Sequence, residues 1–135
     1  MATKVLDSWA LLAFFEDEPA AEEVELLLAR ADSGRDKLLL CAVNWGEVYY
    51  SIMRKISPET AEQKAREIAA LPIEIVPVDS DLVLARQAAI YKAAKKMSYA
   101  DCFAAALAKL RKAELVTGDL EFKQVESEIR IGWLE

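Results

Sequence analysis

The sequence predicts an α/β fold, a three-layer sandwich in which a mostly parallel central sheet of four to five strands carries helices on both faces. Short runs rich in Val, Ile and Leu, such as "KLLLCA" at 37–42, alternate with longer amphipathic segments. Strands that alternate with helices form parallel sheets whose two faces are covered. The segment "CFAAALA" at 102–108 is apolar on every side, which predicts a helix buried among other elements.

The first half of the chain predicts two strands, each followed by two helices. "TKVL" at 3–6 is the first strand and ends at Asp7, and residues 8–17 form a helix. Pro19 suits the first position of the next helix, and Gly34 suits the position just past its end. After the strand at 37–42 come a helix at 44–55, capped by Asn44, and a helix that starts with Ser57 as its cap and Pro58 at its first position.

The second half continues the alternation and ends on a strand. "IEIVPV" predicts a strand, "SDLVLARQAAIYKAAKK" a long helix, and Ser98 caps the apolar helix. A strand "ELVT" at 114–117, a short helix near 120–126 and a last strand "IRIGWL" follow. The predicted order is β-α-α-β-α-α-β-α-α-β-α-β, and right-handed crossovers leave few arrangements for it.

Composition limits the chemistry that this chain can perform. Its 135 residues, 54% of them hydrophobic, suit one domain spanning 1–135. The absence of histidine excludes histidine bases and histidine zinc sites, and two cysteines do not make the usual structural zinc site. No glycine-rich phosphate loop is present. The net charge of −6 argues against broad nucleic-acid binding, and no segment is apolar for long enough to span a membrane. We therefore expect a cytoplasmic protein whose chemistry rests on carboxylates.

Three acidic residues belong to the carboxyl edge of the predicted sheet. Asp7 directly follows the first strand, Glu47 lies in the first turn of the helix after the second strand, and Asp119 follows "LVT" by two residues. Asp101, at the start of the buried helix, reaches the same edge if the loop at 96–98 turns there. Ligands of open α/β sheets bind beyond this edge, near the point where the strand order reverses.

Each of these acids has a purely structural alternative. Asp7 and Asp119 suit helix caps, Glu47 suits a capping box with Asn44, and Asp101 suits one with Ser98. If the acids served only as helix caps, they would have no reason to lie close together. The predicted topology instead places them at the same edge of the sheet. Carboxylates brought together repel one another, and a hard divalent cation such as Mg²⁺ or Mn²⁺ removes that conflict. The sequence therefore predicts a cation site open to a phosphate substrate.

Four segments resemble, in order, the motifs of PIN-domain nucleases: "VLDSWALLAFF", "AVNWGEVYY", "MSYADCFAAALA" and "LVTGDLEF". The terminal "IRIGWL" is similar to the last strand of that family, so the resemblance covers nearly the whole chain. The length and the segment "TGDLEF" are most similar to the VapC-type toxins of toxin–antitoxin pairs.

The resemblance implies a PIN-like domain that hydrolyses RNA phosphodiesters as a metal-dependent endoribonuclease, the toxin of a type II pair. It implies Mg²⁺ or Mn²⁺ as cofactor, with an RNA substrate, a cognate antitoxin and a second copy of the chain as partners. The catalytic and metal-binding residues are then Asp7, Glu47, Asp101 and Asp119, of which Asp7 and Asp101 are the most direct ligands. Three polar residues are expected behind the ligands or against the phosphate: Ser8, Asn44 and Thr117.

Two other classes remain open from the residues. A catalytically silent binding module has no need of all four acids. Phosphatases of the haloacid-dehalogenase type need a second Asp two residues after the first, where this chain has Trp9, and receiver domains need an acidic pair beside the first strand.

Two surface features are expected besides the acids. A surplus of large apolar residues predicts a hydrophobic groove between the first and second helix pairs, for an antitoxin helix on one side and a second copy on the other: Trp9, Phe14, Phe15, Trp45, Tyr49 and Tyr50. A basic rim for RNA is the other: Arg54, Lys55, Lys92, Lys95 and Lys96.

Overall fold

The computed structural model describes residues 1–135 and has the three-layer α/β architecture that the sequence predicts. Five parallel strands form one sheet in the order β3-β2-β1-β4-β5. They are β1 Ala2–Leu6, β2 Asp36–Cys41, β3 Ile73–Val76, β4 Glu114–Thr117 and β5 Ile131–Trp133.

Helices connect the strands in the predicted order. They are α1 Ser8–Phe15, α2 Ala21–Asp32, α3 Ala42–Lys55, α4 Pro58–Ala70, α5 Val83–Ala94, α6 Tyr99–Arg111 and a 3-10 helix Leu120–Val125. None of these helices has the length and apolar character needed to cross a bilayer.

The centre of the sheet is buried on both faces because most of β2, the end of β1 and the middle of β4 are apolar at successive positions. Val5 of β1 points into a core built with α5 and α6, whereas the next residue, Leu6, points into a core built with α1 to α4. Every residue from Cys102 to Ala108 is buried, so the prediction of a helix enclosed on all sides is confirmed. Such a helix offers little freedom of movement to the residues in its first turn.

The strand order reverses between β1 and β4. The chain runs from β1 outward to β2 and β3, then crosses to the other side of β1 to form β4 and β5. Leu6 pairs with Val116, so β1 and β4 end next to each other. This is the position at which doubly wound sheets bind their ligands.

Three helix starts differ from the prediction. The helix α5 begins at Val83 rather than Ser80. The helix α2 begins at Ala21, because Pro19 lies in a turn closed by a 2.8 Å bond from the Ala21 N–H to the Glu18 carbonyl. The helix α3 begins at Ala42, because β2 passes into it with no loop between them. Asn44 is therefore inside the helix rather than its cap, and Glu47 lies in the second turn rather than the first.

The predicted helix boundaries at Gly34 and Ser57 are confirmed, whereas α1 and α5 each end two residues before the predicted end. Gly34 has a φ of +80° just past α2, and the N–H of Arg35 returns to the Arg30 carbonyl at 2.9 Å. Ser57 caps α4 by accepting the N–H of Thr60 at 3.0 Å. The β3 strand ends one residue before Pro77, since proline cannot donate to a sheet.

Candidate active site

Asp7 directly follows β1 and is only 1% exposed. One carboxylate oxygen, Oδ1, accepts the N–H of Ala10 at 2.9 Å and so caps α1. The other, Oδ2, accepts the hydroxyl of Thr117 at 2.5 Å. The capping alternative for Asp7 is therefore realised, and the same side chain also faces the neighbouring strand β4.

Thr117 joins two of the predicted site residues. Besides donating to Asp7, its hydroxyl oxygen accepts the N–H of Asp119 at 3.0 Å. Asp119 in turn caps the 3-10 helix, because its Oδ1 accepts the N–H of Glu121 at 3.0 Å. The hydroxyl thus fixes the Asp7 carboxylate and the start of the Asp119 loop relative to each other.

Asp101 lies in the first turn of α6 and is partly buried. Ser98 caps this helix, and its hydroxyl oxygen accepts the N–H of Asp101 at 3.2 Å. The return bond of a capping box, from the Asp101 carboxylate to the Ser98 N–H, does not form. Burial and the neighbouring acids raise the pKa of the Asp101 carboxylate, while the Ser98 side chain lowers it.

The electrostatics show that these acids face one another. Burial raises the pKa of Asp7 to about 7, and the charges of Asp101 and Asp119 add to that rise, while the Thr117 and Ala10 hydrogen bonds oppose it. Burial also raises the pKa of Asp101 to about 7, with further contributions from Asp119 and Glu47. The side chain of Asn44, in the helix after β2, donates to the carbonyl of Ala100 at 3.0 Å, so the loop before α6 does bring Asp101 to the carboxyl edge.

Glu121 is a fifth acid at this edge that the sequence analysis missed. Its charge also contributes to the raised pKa of Asp101. It lies two residues after Asp119, so its place in "GDLEF" was the available signal. In isolation it is an ordinary acid in the first turn of a helix.

The donor set fits a divalent cation, although the side chains do not form a ready cage. No lysine or arginine pairs with any of the four predicted acids, and carboxylate oxygens are the ligands that Mg²⁺ and Mn²⁺ prefer. As the side chains lie, no three acidic or sulfur-bearing residues are arranged to hold an ion. Both oxygens of Asp7 are engaged by protein donors. Each of these oxygens keeps a second lone pair with which it can bind an ion.

The three polar residues predicted around the acids lie behind them. Ser8, Asn44 and Thr117 are 5%, 0% and 0% exposed. Such burial favours holding the acids in place over contacting a phosphate from solvent. The Asn44 amide donates to the Ala100 carbonyl at 3.0 Å and to the Ser8 hydroxyl oxygen at 3.3 Å.

Trp9 packs against Gly118, the residue that directly precedes Asp119. Its indole ring lies so close to Gly118 that a Cβ at that position would collide with it. Only glycine permits this approach. Position 9, where a phosphatase of the haloacid-dehalogenase type has its second Asp, is therefore filled by a packing residue.

The predicted apolar groove is only partly present. Phe14 and Phe15 are both half-buried against the core, and Trp45 stacks on Tyr49 with ring centroids 5.2 Å apart. A cavity of about 380 Å³ lies beside α1, and its rim carries as many charged as apolar groups. Its lining is Trp9, Leu12, Ala13, Glu16, Glu18, Pro19, Ala20, Lys55 and Glu135.

The predicted basic rim is largely occupied by other contacts. Lys92 donates to the Met97 carbonyl at 2.8 Å, Lys95 pairs with Glu128 and Lys55 pairs with Glu16. Because α3 rises about 1.5 Å per residue, its last residues lie far from Glu47.

Comparison with known proteins agrees with the fold and the motif order. The family model "PIN domain" matches residues 4–128. Comparison with curated protein sequences gives no significant match. Solved structures match over nearly the whole chain, at identities that carry the fold alone.

Three of these structures are toxin–antitoxin proteins. VapBC2 of Rickettsia felis, bound to a promoter DNA fragment, has a TM-score of 0.72 at 14% identity and covers 98% of this chain and 99% of its own. DNA-bound VapBC of Salmonella typhimurium has a TM-score of 0.72 at 18% identity, with 98% of each chain covered. VapC20 of Mycobacterium tuberculosis, a sarcin–ricin loop cleaving toxin, has a TM-score of 0.70 at 16% identity and covers 92% and 95%.

Proposed function

Since this chain belongs to the PIN domain family, we propose that it is a divalent-cation-dependent endoribonuclease acting as the toxin of a type II toxin–antitoxin pair. The observation that carries the proposal is the pair Asp7 and Asp101, two carboxylates with pKa values raised to about 7 and no cationic partner. They lie where the strand order reverses, together with Glu47 and Asp119. The similarity to solved toxin–antitoxin complexes, and to a toxin that cleaves RNA, supports the same reading.

The proposed mechanism assigns each acid a task. Asp7 and Asp101 would hold Mg²⁺ or Mn²⁺, and Glu47 and Asp119 would complete the set directly or through water. When bound, the ion would supply Lewis acidity and lower the pKa of a water molecule. The alternative role for Glu47, the acid on α3, is to orient the attacking water. Thr117 keeps the Asp7 carboxylate aligned. The scissile group is an RNA phosphodiester, and the cytoplasm is the expected compartment.

Growth of an expressing culture tests the toxin role. We expect the wild-type chain, expressed alone, to slow growth, and Asp7→Ala and Asp119→Ala to restore it, because each removes a ligand charge. Asp7→Ala also removes the cap of α1 and the acceptor for the Thr117 hydroxyl, so the amount of folded, soluble protein is measured alongside growth. Asp32→Ala, which alters an exposed acid at the far end of α2, is the control and should remain toxic. Folded, soluble Asp7→Ala that still arrests growth would contradict a nuclease origin of toxicity.

Cleavage of total RNA by the purified chain, with Mn²⁺ and with EDTA, tests the activity directly. The proposal requires cleavage only with the cation. Tight antitoxin binding without any cleavage would favour a silent binding module.

A partner protein is the second part of the proposal. Exposed apolar residues on α2 and α3, notably Leu26 at 66% and Tyr50 at 46%, suit an amphipathic helix of a small antitoxin. We expect a dimer by light scattering at tens of micromolar and a stable complex with the product of the adjacent gene. Leu26→Glu should weaken that complex without affecting RNA cleavage. A monomer that binds no such protein would refute this part alone.

A further inference from the structure

Asn44 lies on the helix that carries Glu47, and its side chain contacts the two chain segments that carry Asp7 and Asp101. No other polar side chain joins three acid-bearing segments in this way. Asn44 lies in the first turn of α3 and is 0% exposed. Its Nδ2 donates to the Ala100 carbonyl at 3.0 Å and to the Ser8 hydroxyl oxygen at 3.3 Å. Ser8 follows Asp7 directly, and Ala100 directly precedes Asp101.

The contact with Ser8 is reciprocal. The Ser8 hydroxyl donates to the backbone carbonyl of Asn44 at 3.3 Å while it accepts from the side-chain amide. Both hydrogen-bonding capacities of Ser8 are thus directed at one residue. This arrangement fixes α1 against α3 at the level of the site. The Ala100 carbonyl, which can only accept, determines which end of the Asn44 amide carries the nitrogen.

Core packing does not explain Asn44. Its Oδ1 is buried without a partner, which is unfavourable relative to an apolar side chain of the same shape. The Ala100 carbonyl lies inside α6 and has a helical partner of its own. The Ser8 hydroxyl would keep the backbone carbonyl of residue 44 without the amide. The polar side chain therefore gives the fold little that leucine would not.

We propose that Asn44 is a positioning residue that fixes the separation of Asp7 and Asp101 for a divalent cation, acting through Ser8 and Ala100 without touching the ion. Glu47 lies three residues further along α3, so the same side chain also sets the acid of its own helix relative to the other two. This inference rests on the proposed cation site. It goes beyond that site because it assigns to Asn44 the alignment of the ligands, a role distinct from that of the acids that bind the ion.

Mn²⁺ affinity and melting temperature of Asn44→Leu, measured by calorimetry without RNA, test the inference. Groups that orient metal ligands typically change metal affinity by about 10–100-fold when mutated. We expect the Mn²⁺ dissociation constant to rise by that factor, while the melting temperature in EDTA stays equal or increases. Val48→Ala, a buried change one turn along α3, should do the opposite: a lower melting temperature with unchanged Mn²⁺ affinity.

Ser8→Ala provides a second, milder variant that removes only one end of the contact. We expect its Mn²⁺ affinity to fall between those of the wild type and Asn44→Leu, and it decides the matter if Asn44→Leu does not fold. Wild-type affinity in both folded variants would overturn the positioning role and leave the proposed function intact. A wild-type chain that binds no Mn²⁺ would instead overturn the proposed function, and the positioning role with it.

Discussion

Asp101→Asn should lower the rate of Mn²⁺-dependent RNA cleavage by about 10³-fold or more. Stabilisation of transition-state charge by a metal ion amounts to several kcal/mol, and each 1.36 kcal/mol is about tenfold in rate. The variant keeps the shape of the side chain and removes its charge, so its effect falls on the ligand. Cleavage of a fluorescent RNA at saturating Mn²⁺ measures it.

The same variant should not lose stability. The ionised Asp101 carboxylate is disfavoured by burial and by neighbouring acids, which is why its pKa is raised to about 7. Above that pH the asparagine removes an unfavourable charge, so the melting temperature at pH 8 in EDTA should equal or exceed that of the wild type. Added Mn²⁺ should raise the melting temperature less than in the wild type. A full metal response would show that Asp101 is not a ligand.

The free energy of unfolding in EDTA should fall as the pH rises from about 4 to about 7. The folded state holds protons on Asp7 and Asp101 up to about pH 7, whereas the unfolded chain loses them near its ordinary carboxyl pKa of 3.8. Unfolding therefore releases protons in this window, and the slope is of order 1–2 kcal/mol per pH unit after allowing for the solvent contact of Asp101. Urea unfolding at closely spaced pH values measures it.

Two controls make this pH dependence specific to the site. The double variant Asp7→Asn with Asp101→Asn should flatten the profile between pH 4 and 7. The second control is the ion pair of Asp36 with Arg30, whose effect on stability has the opposite sign and lies at lower pH. Arg30 holds the pKa of Asp36 below its usual range, so the stability from that pair is present above about pH 4 and is lost on further acidification. Saturating Mn²⁺ should offset the loss at pH 8. A wild-type profile that rises from pH 5 to 7 would contradict the raised pKa values.

The element order was predictable because most strands contain short apolar runs and several helices carry a local start or stop signal. Gly34, Ser57 and Ser98 act locally, and all three behave as predicted. The start of α3 was not predictable from Asn44, because Cys41 leads directly from strand to helix with no cap of its own. A capping residue inside a helix looks the same in sequence as one at its end.

The candidate site was predictable to the extent that topology places chain segments. Parallel strands end at the same edge of a sheet, so Asp7 and Asp119, which follow two such strands, lie at that edge independently of the side-chain contacts. The bond from Thr117 to Asp7 joins residues 110 positions apart, and no local pattern encodes it. The approach of Trp9 to Gly118 is equally non-local. The contribution of Glu121 depends on how the 3-10 helix turns after Asp119.

The central place of β1 in the sheet governs when the acidic edge is completed during folding. β1 pairs with β2 early in the sequence, but its other neighbour, β4, lies more than a hundred residues later. Contacts that close such long loops form slowly, because chain entropy is lost before the contact is gained. A chain arrested before β4 docks has Asp7 without Thr117 or Asp119. The proposed cation site would therefore be incomplete until β4 has paired with β1.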